Sequence, residues 1–172
     1  MSIFVALGIS IGVLAAVWAV VIFNIISALP AVFTGFTVPV TFIAWACFYA
    51  AGGKTEGLVK ALCANITGLI YGVLVALLGL VILGSLPAML GLGIGLLIFV
   101  FCMCAQAKVK QLSFIPGTVI GASVFFALGP ALPGVTPTAV NTPIILPIVV
   151  AMVCGVILGL ISEKWAGKMA KK

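Results

Sequence analysis

Two threonines stand in matching surroundings along this chain. Thr41 closes the run Pro39-Val40-Thr41, and Thr118 closes the run Pro116-Gly117-Thr118. Aromatic rings follow each of them: Trp45, Phe48 and Tyr49 after the first, Phe125 and Phe126 after the second. Asn65 and Asn141 place two amides in otherwise apolar stretches, and Thr67, Thr142 and Gln106 add further neutral polar groups. Such residues trade hydrogen bonds without carrying charge. A hydroxyl or amide beside an aromatic ring suits a small uncharged solute, which needs both hydrogen-bond partners and an apolar slot to shed its water. The ordinary readings stand beside this one: threonine bonds back to its own helix, and rings fill space.

Other chemistries lack their residues. The apolar stretches contain no Asp, Glu, Lys or Arg, and the chain has no histidine. Proton-driven transporters keep ionisable groups at depth in the membrane, so proton coupling is disfavoured. Sodium coupling through backbone carbonyls leaves no acidic signature and stays open. No nucleophile stands near a base, so an enzyme is not expected. The five cysteines (Cys47, Cys63, Cys102, Cys104, Cys154) lie inside apolar runs, with Cys102 and Cys104 pointing to different faces of a helix. They read as small core residues, and neither a metal site nor a cofactor is expected.

The elements that must carry these groups follow from composition. Of 172 residues, 65% are hydrophobic and only 6% are charged, with a mean hydropathy of +1.51. A soluble domain carries roughly 25% charged residues, so the expected fold is an all-α integral membrane protein in one domain, 1–172. The N-terminal apolar stretch has no basic residues before it and reads as a first span rather than a cleavable signal. Breaks in the apolar pattern predict six spans: Ile3–Ile26, Phe36–Ala51, Ala61–Leu83, Ala88–Ala107, Ser113–Leu128 and Ile144–Ser162. The net charge of +6 comes from lysines at the borders after spans two, four and six, where a nucleic-acid partner is a poor explanation. Lysines collect on the cytoplasmic side of membrane proteins, which predicts N-in, C-in topology in a bacterial inner membrane and a cytoplasmic tail at 164–172. Glu56 and Glu163 read as border residues and Trp165 as an interfacial anchor.

The chain repeats itself. Pro39 pairs with Pro116, Thr41 with Thr118, Ile43 with Ile120, Phe48 with Phe125 and Ala50 with Ala127. Gly8 and Gly12 pair with Gly91 and Gly95, and Gly72 and Val73 pair with Gly155 and Val156. Three spans per repeat is an odd number, so the copies 1–84 and 85–163 must insert upside down relative to each other. In such inverted repeats the solute site lies near the midplane on short or interrupted helices, a description that fits spans two and five. Glycine or alanine pairs four apart occur in every span, among them Gly8/Gly12, Gly68/Gly72 and Gly155/Gly159, and allow close helix packing.

The stretches Gln106-Ala107-Lys108 and Ser113-Phe114-Ile115-Pro116-Gly117-Thr118, with Trp45, Phe48 and the Gly52-Gly53-Lys54 turn, resemble a known family. It is the family of small bacterial inner-membrane proteins typified by YcdZ, a domain of unknown function. The resemblance covers nearly the whole chain and implies an inner-membrane location and six helices. It supplies no substrate.

The expected function is a channel or facilitative transporter for a small neutral solute such as urea, ammonia, a short amide or a polyol. The path is expected between the repeats, lined by Thr41, Thr118, Trp45, Phe48, Tyr49, Phe125, Phe126, Asn65 and Asn141. Expected partners are the lipid bilayer, the solute and further copies of the chain in a homo-oligomer. The alternatives are a sodium-coupled transporter and a non-transporting scaffold or accessory subunit. Reporter fusions test the topology: those after Thr55, Val109 and Lys172 should read cytoplasmic, those near Ala31, Leu86 and Thr136 periplasmic. A periplasmic C-terminus overturns both the topology and the inverted repeat.

Overall fold

A computed structural model of the chain describes residues 1–26, 38–86, 90–128 and 142–170. Among these the regular structure is all helical. The α-helices are α1 (Ile3–Ile26), α2 (Val38–Ala50), α3 (Lys54–Ala76), α4 (Leu90–Ala105), α5 (Ile115–Leu128) and α6 (Thr142–Ala170). A π-helical segment, Leu77–Ile82, continues α3, and two 3-10 turns, Gln106–Lys108 and Lys110–Leu112, join α4 to α5. Four helical stretches are long and apolar enough to cross a membrane: Ile3–Ile25, Lys54–Ile82, Leu90–Lys108 and Ile145–Ala170. Helices α2 and α5 have only 13 and 14 residues. At 1.5 Å per residue each reaches ~20 Å, short of a ~30 Å hydrocarbon layer. Both carry a proline at their second residue, where its missing N–H costs nothing.

Helix α3 begins several residues earlier than its apolar pattern suggests, because α2 ends in an abrupt turn. Gly53 N–H bonds to the Phe48 carbonyl and Gly52 N–H to the Tyr49 carbonyl, each at 3.0 Å, the paired bonds of a glycine helix stop. Gly52, Gly53 and Lys54 follow one another at φ 102°, 65° and 55°, the left-handed region that glycine enters at no steric cost. The chain thereby re-enters a helix at Lys54, and a Lys60–Glu56 ion pair at 3.2 Å lies along its first turns. Helix α6 likewise runs past Ser162 to Ala170, carrying Lys164 and Lys168 with it.

The chain divides into two compact units. One comprises Met1–Leu62 and Pro147–Lys172, the other Cys63–Leu146. In the first, α2 packs on α6. A Cβ at Gly155 would strike the Thr41 carbonyl oxygen, and one at Gly159 would lie 2.6 Å from the Phe48 ring. In the second, α5 packs on α3. A Cβ at Gly68 would strike the Thr118 carbonyl oxygen, and one at Gly72 would lie 3.0 Å from Phe125 Cβ. The same crossing is therefore built in each unit, with Gly68 playing the part of Gly155 and Gly72 that of Gly159.

Sequence pairing had matched Gly72 to Gly155, one helical turn away. A glycine pair four residues apart matches its counterpart in either of two registers, and only the contacts choose between them. The Gly8/Gly12 pair behaves differently from expectation: nothing lies within 4 Å of a Cβ built at either position. Large apolar side chains on α1 are outward, including Phe4 at 82% and Phe23 at 68% exposure, which is compatible with contact to lipid.

These contacts grade the glycines. Gly68→Ala and Gly155→Ala should each destabilise the detergent-solubilised protein by roughly 1–3 kcal/mol, because backbone rather than a side chain must give way. Gly8→Ala should leave the melting temperature unchanged. Equal melting temperatures for all three variants would contradict the two crossings.

Candidate functional site

In the first unit the polar centre is Ser162 on α6. Its Oγ donates to the Gly159 carbonyl at 2.8 Å, which uses its single proton. It therefore accepts from Trp45 Nε1–H at 3.1 Å and from the Tyr49 hydroxyl at 2.7 Å. Gly155, Gly159 and Ser162 share one face of α6, so the approach of α2 across the glycines delivers Trp45 and Tyr49 to the serine. The next residue, Glu163, accepts a 2.7 Å hydrogen bond through Oε2 from the Lys54 N–H, at the start of α3. A carboxylate there meets an otherwise unpaired N–H and the positive end of the helix dipole.

With their polar atoms turned to Ser162, Trp45 and Tyr49 also line a cavity of about 310 Å³. Ile11 and Ala15 of α1 and Phe42 and Ala46 of α2 complete its lining. Phe42 and Trp45 meet edge to face at 6.2 Å, as do Phe48 and Tyr49 at 5.2 Å. Phe48 is not part of this lining: it is fully buried against Gly159. Thr41 is also fully buried, with its carbonyl over Gly155.

The second unit is decorated differently. Thr118 is fully buried and its hydroxyl accepts from Gln106 Nε2 at 2.9 Å, tying the end of α4 to the start of α5. Phe125 packs on Gly72 and meets Phe126 edge to face at 5.4 Å, the counterpart of the Phe48–Tyr49 pair. Asn65 is 1% exposed, and neither its Oδ1 nor its Nδ2 has a hydrogen-bond partner among the described residues. Moving an amide from water into apolar surroundings without a partner costs about 2–7 kcal/mol. Thr67, by contrast, bonds back to the Cys63 carbonyl at 2.7 Å, as an ordinary helical threonine does. Asn141 lies outside the described residues.

The sites expected from sequence thus fall into two groups. Thr41, Trp45, Phe48 and Tyr49 gather in the first unit, and Asn65, Thr118, Phe125 and Phe126 in the second. Ser162 and Glu163 were not singled out by sequence as site residues, since nothing in their spacing links them to Trp45, Tyr49 or Lys54 more than a hundred positions away. Among the described residues no group of three or more His, Cys, Asp or Glu could hold a metal ion. Ser162→Ala should remove the acceptor for one buried and one half-buried donor and cost about 1–3 kcal/mol of stability. It should also change the fluorescence of Trp45, read in a variant in which Trp18 and Trp165 are replaced by Phe. An unchanged emission spectrum together with unchanged stability would contradict the three-residue arrangement.

Over 128 residues the chain is 28% identical to the "Uncharacterized protein YahC" of Escherichia coli (strain K12), covering 72% of this chain and 74% of that protein. No solved structure matches it. Residues 8–167 match the family described as "Protein of unknown function (DUF1097)". That match takes in α2 to α5 whole, both Pro-x-Thr helices, both glycine crossings and the Ser162–Glu163 pair, and the chain belongs to the DUF1097 family.

Proposed function

We propose that this protein is a membrane channel or facilitative transporter for a small uncharged polar solute. One observation carries the reading: the buried polar residues among those described are Ser10, Thr41, Asn65, Thr118 and Ser162, all of them neutral. An ion entering such surroundings would find no opposite charge to offset the loss of its hydration shell. A neutral molecule with hydrogen-bonding edges needs only dipoles, and hydroxyls and amides supply them. The proposal places six helices, N-in and C-in, in a bacterial inner membrane as two inverted three-helix repeats of a chain that forms a homo-oligomer. The matching crossings of α2 on α6 and α5 on α3 support the repeat. In this arrangement each short helix is braced by the third helix of the other copy.

A sodium-coupled transporter is the second reading, favoured by Pro147 inside α6 and by the π-helical segment after α3. Proline removes one helical hydrogen bond, leaving a backbone carbonyl available to a cation. Sodium dependence of flux separates the two readings.

Flux into proteoliposomes tests the proposal, with urea, glycerol and acetamide as solutes. Wild-type protein should accelerate at least one of them over empty vesicles. Thr41→Val and Thr118→Val keep the side-chain shape and delete the hydroxyl, and each should slow that flux by roughly tenfold, about 1.4 kcal/mol in the barrier. No acceleration by the wild type overturns the transport reading in favour of a scaffold. Full flux in both variants removes the threonines from the path.

A further inference from the structure

Among the described residues, four of the five buried polar side chains have an interaction partner within the protein. Ser10 donates to the Leu7 carbonyl, Thr118 accepts from Gln106, Ser162 holds Trp45 and Tyr49, and Thr41 is also engaged. Asn65 is the exception: at 1% exposure, neither end of its amide has a partner among the described residues. Buried polar groups in folded proteins are paired as a rule, and a group left open calls for an occupant.

Packing gives no reason for an amide at this position. Asn65 lies three residues before Gly68 on α3, and its carbonyl faces Gly121 of α5. The matching crossing in the other unit aligns Gly68 with Gly155, which brings Met152, three residues before Gly155, onto the place of Asn65. Met152 is equally buried at 1% exposure. The same helix crossing is thus completed once with an apolar thioether and once with an amide. Thr118, whose carbonyl lies over Gly68, keeps its own hydroxyl proton after accepting from Gln106.

The open atoms specify the guest. Oδ1 accepts and Nδ2 donates, side by side in one plane. A guest that satisfies both at once presents a donor and an acceptor along one edge, as a primary carboxamide or urea does when two amides pair. Ammonia has a single lone pair beside its donors and no such edge. We propose that Asn65 is the recognition group for a small carboxamide or urea-type solute, held within the unit formed by Cys63–Leu146. This rests on the neutral-solute reading and narrows it to one chemical class.

The test uses purified full-length protein and acetamide, with two readouts. Saturation-transfer NMR in detergent reports binding at the acetamide methyl group, and stopped-flow light scattering in proteoliposomes reports flux. Asn65→Met copies the residue at the matching position and should fold, and Asn65→Leu is the second variant should it not. The wild type should give a transfer signal that excess urea competes away and that glycerol does not. Either variant should lose the signal, with acetamide flux falling at least tenfold. No wild-type signal, or a signal retained in the folded variants, overturns the assignment. A wild-type signal lost in the variants without flux in any protein keeps the binding site and overturns transport alone.

Discussion

The architecture depends on two places where a threonine carbonyl rests on a glycine of the facing helix: Thr41 on Gly155, and Thr118 on Gly68. Between helices surrounded by lipid there is no hydrophobic drive to associate, because lipid tails are as apolar as leucine. Association then rests on van der Waals contact and hydrogen bonds, both of which demand close approach. The described parts of α2 and α5 are shorter than a bilayer's hydrocarbon layer, and each gains its contact surface from one long helix with a glycine face. Any Cβ at Gly155 or Gly68 would hold the backbones apart and shift every side chain beyond them.

What lies beyond differs between the two crossings. One further turn along α6 from Gly159 stands Ser162, which collects the Trp45 and Tyr49 donors. One turn beyond Gly72 on α3 stands Val75, buried and apolar, and the ring opposite the Tyr49 position is Phe126. Conversely the second crossing holds Asn65 and the Gln106–Thr118 bond, where the first has Met152. A shared backbone plan thus carries two different sets of hydrogen-bonding groups. One set closes on itself around Ser162. The other leaves an amide without a partner among the described residues.

Glu163 joins the ends of three helices. Its carboxylate takes the first N–H of α3, lies beside Gly53 in the turn that ends α2, and belongs to α6. The run of positive φ from Gly52 to Lys54 is what turns that N–H outward to meet it. A border carboxylate thereby fixes where α6 stands along the α2–α3 turn.

The sequence by itself determined the helical class, the apolar stretches long enough to cross a membrane, the Pro-x-Thr helices and the absence of charge from the interior. These follow from local composition and spacing: hydropathy acts over a span of about 20 residues, and a proline near a helix start acts within one turn. The ends of helices were less legible. Helix α3 begins at Lys54 because Gly52 and Gly53 reverse the chain so tightly, and α6 runs on to Ala170 because lysine and glutamate are as helix-compatible as the residues before them. Tertiary structure alone chose the glycine register, since pairs spaced by four match equally well when slid by a turn. It alone brought Ser162 to Trp45 and Tyr49, and it alone left Asn65 without a partner among the described residues, for hydrogen bonds across a hundred residues depend on distances between helices that no local pattern encodes.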